Sequence, residues 1–155
     1  MKGLHCCQQN SILFMTTNND NFPFIKQQGK YDCAIASLKM ILAYNNFDTS
    51  IIESESTNRG TSISQLCAMA NNIGFETHPI KCSIRFLQDK LDLPAIIFLD
   101  KKHYAVIYKI NNSNFYVSDP LTGKTVYNYN KFSKHWFTSS IFKYGIAIAI
   151  KKTRP

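Results

Sequence analysis

The 155-residue sequence contains no apolar run near the length of about 20 residues that a membrane-spanning helix needs. The apolar stretch nearest the start, Ile12-Leu13-Phe14-Met15, is too short for the core of a secretory signal, and no small-residue cleavage site follows it. The chain as written is therefore expected to be soluble. Cys-x-x-Cys is absent too: the five cysteines, Cys6, Cys7, Cys33, Cys67 and Cys82, match no zinc spacing. An odd number leaves at least one thiol unpaired, and reduced thiols in a cytosolic compartment are the simpler reading. Acidic side chains are scarce, 10 against 18 Lys and Arg, for a net charge of +8. The basic residues come as singles or pairs, such as Lys101-Lys102 and Lys151-Lys152, without the Arg-rich element or aromatic platform of a nucleic-acid binder. No nucleic-acid partner is expected; a solvated basic surface is the plain reading, and attraction to acidic peptides or anionic headgroups is the other.

What is present is the material of a folded domain. Hydrophobic residues make up 45% of the chain, with 11 Phe and 8 Tyr, and the length suits a single domain with a real core. Residues 1–21 are polar and end in an Asn/Thr-rich stretch, read as a loosely ordered N-terminal extension; the domain proper is expected over residues 22–155. From Asp32, a plausible N-cap, the apolar positions Ile35, Leu38, Ile41 and Leu42 have helical spacing and predict a buried helix ending near Tyr44. A short helix from Thr49 to about Ser56 is expected next. A third follows, capped by Ser62 and stopped by Gly74, with Cys67 on its core face. Beyond Gly74 the period changes. Strands are predicted at Phe75–His78, Pro94–Leu99, Tyr104–Ile110, Phe115–Ser118, Thr125–Tyr129 and Ile146–Ile150. A helical turn from Ile84 and a helix bearing Phe132, Trp136 and Phe137 lie between them. Helices first and a meandering antiparallel sheet second is an α+β arrangement.

The chemistry-bearing candidates centre on Cys33, at the head of the first helix. The orphan N–H groups there carry roughly half a positive charge and favour a thiolate. Gln27, six residues upstream, could lend an N–H to an oxyanion forming beside that sulfur. Taken alone the segment serves equally for a small buried helix residue and for a nucleophile. A nucleophilic cysteine needs a base, and the base an orienting partner. Of four histidines, His5 lies in the extension beside Cys6 and Cys7, a cluster short of a fourth metal ligand. His78 precedes a proline in a strand and is read as structural or exposed. His135 is placed on the solvent side of its helix. His103 stands where a loop enters a buried strand, a position both fixed and accessible. Asp119 ends the next strand at the same end of the hairpin. A plain turn at Asn112-Ser113 would set Asp119 opposite Val106, on the wrong face. An odd loop or a bulge is therefore predicted, bringing it opposite Ala105.

Gln27…Asp32-Cys33, then His103-Tyr104-Ala105-Val106, then Asp119-Pro120, resembles the C39 peptidase family, bacteriocin-processing peptidases with a papain-like fold. The likeness spans about Phe22 to Ile150 and includes Ile73-Gly74-Phe75-Glu76-Thr77. It implies an α+β papain-like cysteine peptidase with Cys33 as nucleophile, His103 as general base and then acid, and Asp119 orienting the imidazole. Gln27, ahead of its neighbour Gln28, would be the oxyanion-hole donor. It also implies a substrate, a precursor peptide whose leader ends in Gly-Gly, and partners, the membrane and nucleotide-binding domains of an ABC transporter at the cytosolic face of a bacterial inner membrane. No cofactor is expected for the peptidase itself; ATP would belong to the transporter. The family motif usually lies near the N-terminus, whereas here some 20 residues precede Phe22. Other readings of the same residues are a non-cleaving leader-binding module or another Cys-His-Asp acyl transferase.

Overall fold

A computed structural model describes residues 20–53 and 59–153. The chain enters its first helix, α1 (Cys33–Tyr44), through a turn at residues 29–32. Nine of the twelve α1 residues are buried, which follows from its nearly all-round apolar sequence. It stops at Asn45-Asn46, with Asn46 in the left-handed conformation (φ 60°) that asparagine tolerates at helix ends. The helix expected from Thr49 is a single 3₁₀ turn, Thr49–Ile51, held by Asp48 accepting from the Ser50 N–H; residues 54–56 of that expectation lie outside the described residues. Helix α2 (Ile63–Asn72) opens on a reciprocal capping box between Ser62 and Gln65 and is followed by Gly74 at φ 94°.

Strand β1 (Phe75–Cys82) runs four residues past its predicted end, straight through Pro79. Proline is tolerated because β1 is an edge strand, paired only with β6. Helix α3 (Ile84–Asp89), β2 (Ala95–Leu99), β3 (His103–Asn111), β4 (Asn114–Asp119), β5 (Gly123–Tyr127), helix α4 (Tyr129–Trp136) and β6 (Gly145–Lys152) complete the order. The six strands form one antiparallel sheet in the order β1-β6-β2-β3-β4-β5. Both faces are covered. Leu38, Ile41 and Leu66 of α1 and α2 pack on Ile96, Val106 and Ile148. Leu87, Phe132 and Trp136 of α3 and α4 pack on the alternate residues Ile97, Ile107 and Ala147. Burial from both sides explains the unbroken apolar run of β2 and the almost unbroken one of β6.

Register places the chemistry. Near the hairpin turn β3 and β4 pair as Asn111↔Asn114 and Lys109↔Tyr116, and beyond it as Ile107↔Val117 and Val106↔Ser118. Tyr108 is the extra residue of a β-bulge, and the one-residue shift carries Asp119 into line with Ala105. The bulged tyrosine is put to use: its ring stacks on Phe22 at 4.6 Å and its hydroxyl donates to Asp20. Asp20, counted with the extension in the sequence, also takes Lys124 Nζ at 3.2 Å. From there the segment runs across β4, with Ser118 Oγ donating to the Pro23 carbonyl (3.3 Å) and the Gln27 N–H to the Pro120 carbonyl (2.9 Å). Gln27 is thus delivered to the end of the sheet where β4 stops and β3 begins.

One close approach at that end is open to test. A Cβ on Gly145 would lie 2.2 Å from the Trp136 ring, which is buried and tied by Nε1 to the Ile146 carbonyl at 3.0 Å. Gly145→Ala forces the indole or the strand to move and is expected to cost about 3 kcal/mol, the upper part of the overpacking range. The urea midpoint followed by fluorescence of Trp136, the sole tryptophan, measures it.

Candidate active site

Cys33 is the first residue of α1, and the turn before it is built from its own neighbours. The Asp32 carboxylate accepts the Gly29 N–H at 2.7 Å, and a Cβ on Gly29 would stand 2.9 Å from that oxygen. Asp32 occupies the N-cap position as expected but makes no side-chain cap. Its backbone is not extended there (φ −92°, ψ 10°), so the carboxylate turns back into the 29–32 turn instead of onto the helix.

Across the cleft His103 opens β3 and Asp119 ends β4. His103 Nε2 donates to Asp119 Oδ1 at 2.7 Å, and the same oxygen accepts the Leu121 N–H at 2.8 Å. Asp119 is 5% exposed. Burial works to raise its carboxyl, but the hydrogen bond from His103 and the N–H groups of Leu121 and Thr122 hold it below the usual carboxylate range. With Nε2 engaged, Nδ1 is the ring nitrogen left for Cys33, and His103 and Cys33 each favour the charged form of the other. Burial tends to lower the imidazole, yet Asp119 and Cys33 outweigh it and push His103 up to about 9. The Cys33 thiol is lowered: burial disfavours the thiolate, while His103 and the backbone N–H groups of Tyr104 and Ala34 overcome it. Cys82 is the internal contrast. It is buried without such partners and is pushed up to about 11 by burial alone. These two buried thiols therefore move in opposite directions, and of the pair it is Cys33 that is shifted toward the thiolate.

Gln27 lines the same cleft, a cavity of about 830 Å³ that also contains Cys33, His103, Tyr104 and Asp119. Its Nε2 donates to the Gly29 carbonyl at 2.8 Å and, weakly, to the Lys30 carbonyl at 3.4 Å, while Oε1 is buried without a partner. One N–H of the amide is thus held only by a long bond and is the one that could turn toward a developing oxyanion. Gln28 is exposed and is not among the cleft residues.

The other histidines separate. His78 is exposed and paired with Glu76 at 2.8 Å, away from the cleft. His5, Cys6 and Cys7 lie outside the described residues. His135, placed on the solvent side from sequence, instead lines the cleft, with Nδ1 2.9 Å from Asp100 Oδ1. The helical pattern locates Phe132 and Trp136 in the core but does not say what stands beside α4, and that decides which side of His135 meets water. Cys67 is half-buried, packed against the core without being sealed in it. Among the described residues no group of three or more His, Cys, Asp or Glu could hold a metal, and no helix is long and apolar enough to cross a membrane.

A thiol at a helix head, set against a sheet-borne histidine and carboxylate, is the arrangement of a papain-like cysteine peptidase. The sequence model of the Peptidase C39 family matches residues 21–144, and the chain belongs to that family. It is 32% identical to the mesentericin transport/processing ATP-binding protein of Leuconostoc mesenteroides, over 77% of this chain and 18% of that protein. With the Lactococcin-G-processing and transport ATP-binding protein of Lactococcus lactis it shares 31% identity, over 72% of this chain and 17% of that one. The chain thus spans less than a fifth of the length of these curated relatives. Among solved structures, the peptidase domain of Streptococcus mutans ComA superposes with a TM-score of 0.62 at 27% identity, covering 82% of this chain and 97% of that one. A double glycine motif protease from an AMS/PCAT transporter, in complex with the leader peptide, shares the fold at a TM-score of 0.74 and 24% identity, covering 84% and 91%.

Proposed function

We propose that this chain removes leader peptides from bacteriocin-like or other ribosomally made precursors by cutting after a Gly-Gly pair, coupled to export by an ABC transporter. The observation that carries the reading is Cys33, His103 and Asp119 lining one cleft, with His103 Nε2 on Asp119 Oδ1 at 2.7 Å; His103 lowers the thiol, while Asp119 and Cys33 raise the imidazole. The Cys33 thiolate attacks the carbonyl carbon of the second glycine. The tetrahedral oxyanion takes hydrogen bonds from the Gln27 amide and the Cys33 backbone N–H. As the C–N bond breaks, the His103 proton passes to the leaving amine. Water, deprotonated by His103, then attacks the thioester and releases the thiolate. Asp119 holds the ring through both steps. Two glycines suit such a cleft because neither presents a Cβ to its walls beside the scissile bond. No cofactor enters this scheme; ATP is consumed by the transporter's nucleotide-binding domains. The peptidase domain in this reading covers residues 22–155, preceded by the extension 1–21, and works at the cytosolic face of a bacterial inner membrane.

The test is incubation with a precursor peptide whose leader ends in Gly-Gly, read by mass spectrometry. One cut after the second glycine is expected, and none when that glycine is replaced by alanine. An untouched peptide would favour a binding module over a peptidase. Gln27→Ala removes one of two oxyanion donors and is expected to lower kcat by about 10²–10³ with KM little changed. Steady-state kinetics on the same peptide decide it: an unchanged kcat would take Gln27 out of the hole.

A further inference from the structure

Three residues before His103, the chain makes a turn that local preference does not favour. Asp100 and Lys101 both adopt left-handed backbone conformations, φ 51° and 58°, without a glycine at either position. Such a pair persists only where its surroundings over-determine it. Within the turn the Lys102 N–H donates to the Leu99 carbonyl at 3.1 Å, and from outside it one residue grips Asp100 at two points. The Asp100 N–H donates to the His135 carbonyl at 2.8 Å, and Asp100 Oδ1 lies 2.9 Å from His135 Nδ1. The His135 carbonyl belongs to the last turn of α4, where helix carbonyls have no partner within the helix. The helix is itself immobilised, since Phe132 stacks on Phe115 at 4.3 Å and Trp136 bonds the Ile146 carbonyl. The turn is therefore fastened to a rigid support, and the Leu99↔His103 pair closes it directly onto His103.

We propose that His135 and Asp100 form a clip that positions His103, holding the β2–β3 turn so that the imidazole meets Cys33 and Asp119 together. Both are positioning residues, acting through the turn. The clip rests on the reading of His103 as the general base. It matters because a reacting group displaced by about 1 Å can lose about a hundredfold in rate.

Four variants of the full chain test it: His135→Ala, Asp100→Gly, His135→Asn and His103→Ala. His135→Ala cuts the side-chain arm and leaves the carbonyl. Asp100→Gly removes the same arm while accepting the positive φ freely, so it covers the case in which the first variant folds poorly. His135→Asn keeps an N–H near the position of Nδ1. Kinetics on a Gly-Gly peptide are read beside the rate of Cys33 alkylation at pH 6.5, followed at that residue by mass spectrometry. His135→Ala and Asp100→Gly are expected to lower kcat roughly tenfold with KM within about twofold, and to slow Cys33 alkylation to a similar degree, while His135→Asn recovers most of both. Wild-type kcat and alkylation in the two clip-breaking variants would overturn the clip. So would a loss confined to KM, which would make His135 a substrate contact. If wild-type Cys33 reacts no faster than in His103→Ala, the reading of His103 as base fails, and the clip with it. If that difference stands and the clip variants match wild type, the clip alone fails.

Discussion

Cys33→Ala is expected to lower kcat for a Gly-Gly peptide by about 10⁵-fold or more, as removal of the nucleophile from a covalent mechanism does, while leaving the fold and leader binding intact. The physical case for intact folding is local. Cys33 is 8% exposed at the first position of α1, and alanine, the best helix former, removes only the sulfur. The remaining His103–Asp119 pair keeps its 2.7 Å bond, since that bond does not involve the thiol. Cleavage followed by mass spectrometry, with leader affinity measured separately by fluorescence polarisation, separates chemistry from recognition. Turnover surviving in Cys33→Ala would remove the thioester route altogether.

His103→Ala should cost about 10⁴-fold in kcat, because in the proposed mechanism one side chain supplies both the proton acceptor and the proton donor of the cycle. It also changes the nucleophile. His103 is the leading favourable influence on the Cys33 thiolate, so its loss leaves burial less opposed and the thiol moves up. The pH dependence carries the same signature. The reactive state pairs thiolate with imidazolium: acid protonates Cys33, and the rate falls on that side. As pH rises through about 9, His103 loses the proton that the leaving amine needs, and kcat/KM falls again. A bell with its alkaline limb near 9 is expected for the wild type, and His103→Ala should shift Cys33 alkylation to higher pH. An alkaline limb that persists unchanged in His103→Ala would assign it to another group.

Much of this architecture is legible without coordinates, for identifiable reasons. The α1 pattern Ile35, Leu38, Ile41, Leu42 has one periodicity over about two turns, and Ser62 and Gly74 bracket α2. Elsewhere, backbone geometry and neighbours that residue type does not reveal decided the outcome. Pro79 argues locally against a strand, but β1 is an edge with neighbours on one side only. Asp32 has the right type and position for a cap, yet its backbone angles aim the carboxylate at Gly29. Cys67 lies on the apolar face of its helix and is half-buried, packed against the core without being sealed in it.

The active cleft divides the same way. Residue types and spacing made Cys33, Gln27, His103 and Asp119 candidates, and the resemblance of their combination to the C39 pattern is what gave each an expected role. Alternation also required an extra residue between β3 and β4, since side chains change face at every step along a strand. Only the folded chain decided that the extra residue is Tyr108, which is held there by Phe22 and Asp20 from more than eighty residues away. The fold alone, likewise, brought His135, read as lying on the solvent side of its helix, to a two-point grip on Asp100 near His103. Periodicity reports which side of an element is apolar. It carries no information on which other element stands against the remaining side, and that contact is what ties the turn before His103 to α4.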